Sequence, residues 1–327
     1  MPSEYLIDLN NNPEAWKDTA KSKKPDGTVT SEVASIVPGE GPRNMFWMLD
    51  TLMYAMPEGT DPDLDHMPHE HRLGYETFFV DSGKMWLYID GKKCMLTKGD
   101  ILHLQAGQIH GMAFIEDVKY RGTYHDYIYS PDLGPFGKAK AYSPNDPELD
   151  KLMPSMDYIR HEPMLFKEVS ADQCSAVRNP KRPLAEYRLD GVTMKILVQR
   201  WENAGITELC CAEMEPGFTA EWVKYPKERD LLYVRNGEVK FTVYDETFIA
   251  PPESIINIPK FAPHSLEALT TAEVYDLGGQ TLWASFLHDY MSIKTYDPER
   301  FEKTETIANL KAGFNCQIER VGMKAGR

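Results

Sequence analysis

Residues 59–124 can be laid over residues 213–278 with one constant shift and no gap, and markers of three kinds then coincide. Gly83 falls on Gly237, Glu76 on Asp230 and His110 on His264. Phe79-Val80 falls on Tyr233-Val234, and Leu102-His103-Leu104 on Ile256-Asn257-Ile258. Turns, apolar runs and polar positions keep step, which predicts a duplicated domain. Each copy is built from short β-branched and aromatic runs, among them Thr77–Val80, Lys84–Ile89, Glu238–Tyr244 and Ile255–Ile258. Turn residues such as Asp81-Ser82-Gly83, Asp90-Gly91-Lys92 and Arg235-Asn236-Gly237 separate them. That pattern reads as antiparallel β-structure.

At 327 residues the chain exceeds the usual length of one domain. The expected organisation is all-β. An N-terminal arm (1–45) precedes a first barrel (46–129), a proline-rich and charged connector (130–183), a second barrel (184–285) and a helical tail (286–327). A short helix is expected inside the connector near Pro147–Asp157, and another from Asp297-Pro298 to Gly313, where an N-cap precedes proline at the first helical position. Thirty-six Lys and Arg against 50 Asp and Glu leave a net charge of −14, which repels phosphate backbones and anionic membranes. Five scattered cysteines without C-x-x-C spacing suggest thiols in a reducing compartment. No apolar run reaches the length of a membrane span. A cytoplasmic protein is expected, with a small-molecule substrate, no nucleic-acid or membrane partner, and a homodimer formed through its long terminal segments.

In the first copy His69-Glu70-His71 places two imidazoles two residues apart, hence on one face of a strand. Glu76 follows five residues later, and His110 beyond Gly99 and Gly107. Imidazoles and a carboxylate converging in this way would form an N₃O site for Fe(II), Mn(II), Ni(II), Zn(II) or Co(II).

The spacing resembles the cupin superfamily. Its first motif (Gly, five residues, His-x-His, three or four, Glu, six, Gly) is met by His69, His71, Glu76 and Gly83, with Asp63 in place of the opening glycine. Its second motif keeps Gly99, Gly107 and His110, while Gln105 stands for the proline and Phe114 for the final asparagine. The resemblance implies two tandem jelly-roll β-barrels. It also implies a single divalent transition metal, held by His69, His71, Glu76 and His110, with Fe(II) favoured and Mn, Ni or Zn as alternatives. In the second copy Val223 and Tyr225 replace the histidine pair, leaving only Asp230 and His264, so that barrel is expected to hold no metal tightly.

Strand parity groups Phe78 and Val80 with Glu76, and Met112 and Phe114 with His110. It leaves open whether Trp86 or Leu87, and Tyr120 or Arg121, faces inward. The candidate acid–base and substrate-binding groups are His66, His103 and Arg121. The resemblance favours an Fe(II) dioxygenase of the gentisate- or quercetin-cleaving kind, acting on a compact aromatic or enolic substrate. The alternatives are a redox-neutral lyase, decarboxylase or isomerase using Mn, Zn or Ni, and a non-catalytic small-molecule binder.

Overall fold

The computed structural model describes residues 3–17, 19–23, 26–37, 47–71, 75–125, 158–163, 165–203, 208–224, 230–277, 283–314 and 316–324. The chain forms two compact units, Pro13–Asn179 and Met1–Asn12 with Pro180–Arg327. Each is a pair of sheets around its own apolar core, antiparallel throughout except where Lys167–Glu168 runs parallel to Lys92–Thr97.

In the first unit, one sheet runs Tyr158–Arg160, His69–His71, His110–Phe114, Lys84–Ile89, Lys92–Thr97 and Lys167–Glu168. The other runs Val177–Arg178, Ile101–Leu104, Tyr75–Ser82, Val118–His125, Trp47–Met53, Val29–Val37 and Ala20–Lys23. Alternation makes one face of each strand apolar, and those faces meet: Phe78, Val80, Met85, Leu87, Ile89, Leu102, Leu104, Phe114 and Tyr120 share one buried cluster. At about 25 cal/mol per Å² of apolar surface, this burial is the main force holding the sheets face to face.

The second unit repeats the plan, with the same register at equivalent pairs. Phe78 faces Gly122 as Leu232 faces Asp276, and Met85 faces Phe114 as Val239 faces Ala268. Left-handed backbone recurs at matched turns too, at Gly83 and Gly237, Gly99 and Glu253, Gly107 and Phe261. The duplication read from the sequence is therefore a duplication of turns as well as strands. At Gly83 and Gly237 the glycine is obligatory, because a Cβ would lie 2.1 Å from the Asp117 carbonyl oxygen and 2.3 Å from that of Thr271.

The termini depart from the expected plan. Residues 1–45 are not a free arm: Val29–Val37 is a full strand of the first unit, and Leu6–Asp8 extends the second unit by pairing with Ser254–Ile258. Of the expected connector, 126–157 lies outside the described residues, including the helix expected at Pro147–Asp157. Its later part supplies three short edge strands to the first unit. The expected tail does contain helices, Trp283–Tyr296, Pro298–Phe301 and Thr304–Gly313, and the Asp297 carboxylate accepts the Arg300 N–H as the cap predicted. It then ends in a strand, Cys316–Met323, paired with Phe218–Lys224. These segments lie outside the repeated stretches 59–124 and 213–278, so period and spacing gave no sign that they complete the sheets, whose exposed ladders of N–H and C=O groups need covering.

Candidate metal site

The strand His69–His71 meets the start of His110–Phe114, with His69 directly opposite His110. The imidazole centroids of His69 and His110 are 4.2 Å apart, those of His69 and His71 5.3 Å, and those of His71 and His110 5.8 Å. One ring nitrogen from each lies within 4.8 Å of the others. Glu76, on the facing sheet, brings Oε1 to 3.5 Å from His71 Nε2 and Oε2 to 3.8 Å from His110 Nε2. The four side chains named from the sequence are therefore brought together, three imidazoles from one sheet and one carboxylate from the other.

Backbone carbonyls set the tautomers. His69 Nδ1–H donates to the Met67 oxygen at 2.8 Å, and His110 Nδ1–H to the Gln108 oxygen at 2.8 Å. A carbonyl can only accept, so Nδ1 carries the proton and Nε2 keeps its lone pair for a ligand. Met67 adopts a left-handed φ of 50°, at the turn that presents its carbonyl. Burial keeps the rings neutral. Desolvation first and His69 second push His71 down to about 3, and desolvation with His71 pushes His110 down to about 3. Desolvation with His110 holds His69 well below the ordinary value of 6.5. Three neutral imidazoles, two of them with the tautomer set by a backbone carbonyl, beside one carboxylate are a donor set that fits a divalent transition metal.

This arrangement has a measurable cost in metal-free protein. The folded-state values lie below the unfolded ones, so unfolding takes up protons as pH falls through about 6.5. Stability is fully present above that value and is lost on acidification, by up to about 1.4 kcal/mol per pH unit for each imidazole. Urea midpoints of chelator-treated protein should fall from pH 6.5 to 5, where most carboxylates remain ionised. A flat profile would show that the rings are not held neutral.

The remaining sequence candidates lie on outward faces. His66 covers Gly111, between the inward-facing His110 and Met112, so its ring is on the opposite face of that sheet from the imidazole group. There it stacks on Tyr88 at 4.1 Å and meets the edge of Phe166 at 5.0 Å. His103 pairs with Thr77 in register and bonds its Oγ1 through Nδ1 at 2.9 Å, while Leu102 and Leu104 point to the core. Arg121 points away from the barrel interior, its Nε donating to Asp50 Oδ1 at 2.8 Å and its Nη2 lying 3.2 Å from Asp81. The choices left open by parity also close: Leu87 and Tyr120 join the core, whereas Trp86 lies under the Lys93 ammonium, 4.4 Å from its ring centroid.

Reading the sequence passed over the group that secures the loop before His69. Asp63, the departure from the cupin motif, accepts from Tyr88 Oη at 2.7 Å and from Lys93 Nζ at 2.6 Å. The Met112 N–H donates to the His66 carbonyl at 2.8 Å. Gly111 leaves room for that loop, since a Cβ there would sit 2.5 Å from His66 O and 2.6 Å from its Cδ2. The signal was available: at the matching register the second barrel has Thr242 opposite Ser265 where the first has Tyr88 opposite Gly111.

In the second barrel Asp230 and His264 are buried, and His264 Nδ1–H donates to the Ala262 carbonyl at 3.0 Å as His110 does to Gln108. The residue opposite His264 is Trp222, not Val223, so the constant shift slips by one position in that strand. Tyr225 lies outside the described residues. Among the described residues no group comparable to the three imidazoles forms there.

Paired antiparallel sheets around an inward-facing cluster of three imidazoles and a carboxylate define a jelly-roll barrel with a candidate metal site. Residues 52–121, which contain all four candidate ligands, match the cupin domain family. Similar solved structures include a cupin 2 conserved barrel domain protein from Leptotrichia buccalis (14% identity, 84% of this chain and 96% of that one, TM-score 0.49). The oxalate decarboxylase of Lactobacillus farciminis in its formate complex is 13% identical (84% and 86% covered, TM-score 0.46). That of Bacillus subtilis, which has Mn(II) centers, is 12% identical (84% and 77% covered, TM-score 0.46). No curated protein matches the chain in sequence. No helix among the described residues is long and apolar enough to cross a membrane.

Proposed function

We propose that the first barrel is the active site of a metal-dependent cupin enzyme acting on a small organic substrate. One observation carries this reading: three neutral imidazoles converge, with Glu76 beside two of them. His69, His71, His110 and Glu76 would hold a divalent transition metal, which when bound supplies Lewis acidity or, if Fe(II), oxygen activation. The imidazoles contribute fixed, unprotonated donors, and Glu76 lowers the net charge of the site. Phe78 and Tyr120, 4.8 Å apart, line the same interior with Phe114 and partly buried Met112. That lining favours a compact aromatic or enolic substrate over a polyhydroxylated sugar, which would need many hydrogen-bonding side chains. With this lining, Fe(II)-dependent dioxygenase chemistry is our reading of the reaction.

The test is elemental analysis of protein purified without chelator, followed by an oxygen-electrode screen of phenolic and keto acids after anaerobic reconstitution with Fe(II). Oxygen consumption matched to substrate loss supports the dioxygenase. Turnover without oxygen, in Mn, Zn or Ni protein, replaces it with a lyase, decarboxylase or isomerase. Saturable ligand binding without turnover by any of these forms would make the barrel a non-catalytic binder.

A further inference from the structure

Residues 167–178 form a strap across one side of the first barrel. Lys167–Glu168 lies along Lys92–Thr97 of one sheet, and Val177–Arg178 pairs with Ile101–Leu104 of the other. Between these two attachments the turn Ala171–Gln173 delivers Cys174 into the apolar cluster, where its sulfur is hydrogen-bonded to that of Cys94. Both cysteines are buried and both are free thiols. Gln173 and Ser175, on either side of Cys174, are exposed, so its sulfur lies just beneath the surface. The strap is otherwise tied down by single bonds along its length: Val169 N–H to the Lys93 carbonyl at 2.9 Å, His103 N–H to the Ala176 carbonyl at 2.8 Å, and Lys92 Nζ to the Gln173 carbonyl at 3.1 Å.

The second barrel fills the same position differently. Cys94 faces Leu87 as Phe248 faces Phe241, and Phe248 stacks on Phe241 at 6.0 Å against that barrel's core. A single aromatic ring satisfies the packing there. In the first barrel the place is taken by two thiols brought from distant parts of the chain, which adds a reactivity that packing does not require. The two sulfurs also differ in character. The Cys94 S–H first, then the N–H groups of Ala176 and Val177 and the Lys92 ammonium, push the Cys174 thiol down to about 6 against the effect of burial. Donation to Cys174 and burial push the Cys94 thiol up. A nucleophilic sulfur touching one that stays protonated is the arrangement of an attacking and a resolving cysteine.

We propose that Cys94 and Cys174 are a site of reversible oxidation, whose disulfide fastens the strap to the first barrel. With a peroxide as oxidant, the Cys174 thiolate attacks one peroxide oxygen, the O–O bond breaks, and a sulfenic acid forms with release of hydroxide, which takes up a proton. The Cys94 sulfur then attacks the Cys174 sulfur, the S–O bond breaks, and the hydroxyl leaves with the Cys94 proton as water. Two thiols lose two electrons in all, and hydrogen peroxide, gaining them, becomes two waters. The site is separate from the candidate metal site and does not depend on its chemistry.

The test starts from native full-length protein, reduced and then treated with hydrogen peroxide, blocked at its remaining thiols and digested without reduction. Mass spectrometry should find the Cys94 peptide joined to the Cys174 peptide as the main crosslink. The oxidised protein should melt about 5 °C or more above the reduced one, because the bond closes a long loop, and dithiothreitol should reverse the rise, which it does not do for oxidised methionine. Cys174→Ser and Cys94→Ala should each lose the reversible rise. If other thiols of the native protein are oxidised while the Cys94–Cys174 peptide does not form, or if the reversible rise survives in Cys174→Ser, the site is overturned. A linked peptide without any reversible rise in melting temperature overturns the fastening of the strap.

Discussion

His110→Ala should abolish stoichiometric metal retention, and with it any activity of the first barrel. His110 lies directly across from His69, with Nε2 3.8 Å from Glu76. Its ring is buried and its tautomer is fixed by the Gln108 carbonyl, so Nε2 is the nitrogen turned to the site. Losing only an outer hydrogen-bond partner of a ligand costs roughly 10–100-fold in metal affinity, and losing the ligand itself should cost more. Elemental analysis and competition titration with a chelator of known affinity measure this directly. The matched control is His264→Ala, which removes the corresponding imidazole of the second barrel and should leave metal content unchanged. Wild-type metal content in His110→Ala, or equal loss in both variants, would refute the site.

Gly111→Ala should weaken both the first barrel and its metal site, although Gly111 itself contributes no ligand atom. The added methyl would lie 2.5 Å from the His66 carbonyl oxygen, which is backbone and already accepts the Met112 N–H at 2.8 Å. The loop must therefore lift, at an overpacking cost of about 1–3 kcal/mol. Because His66 and His69 are three positions apart, the displacement reaches the Met67 carbonyl that orients the His69 ring. A lower melting temperature together with at least a roughly tenfold loss of metal affinity is expected. Gly313→Ala, where a methyl meets nothing within 4 Å, is the neutral comparison. A Gly111→Ala protein that melts and binds metal like wild type would show that the loop does not position His69.

The hydrogen-bonded loop around His66 also explains why that residue looked catalytic in the sequence. A histidine three positions before a ligand is close along the chain, but proximity along a chain says nothing about which side of a sheet it covers. The same holds for His103 and Arg121. Each neighbours a residue that does face the interior, Leu102 or Leu104 in one case and Tyr120 in the other. Their buried polar contacts, to Thr77 and to Asp50 and Asp81, belong to outward faces covered by other parts of the chain.

By itself the sequence determined the duplication, the antiparallel β class, the matched turns, and the set of four side chains that converge. All of these rest on short-range rules: a two-residue period fixes which side chains share a face, and turn chemistry fixes where strands end. Only the tertiary structure decided which face is interior, and that Leu6–Asp8 and Cys316–Met323 are sheet edges. These outcomes depend on strand pairing and on the packing of two sheets, which arise from contacts between residues far apart in the chain and leave no local pattern to read.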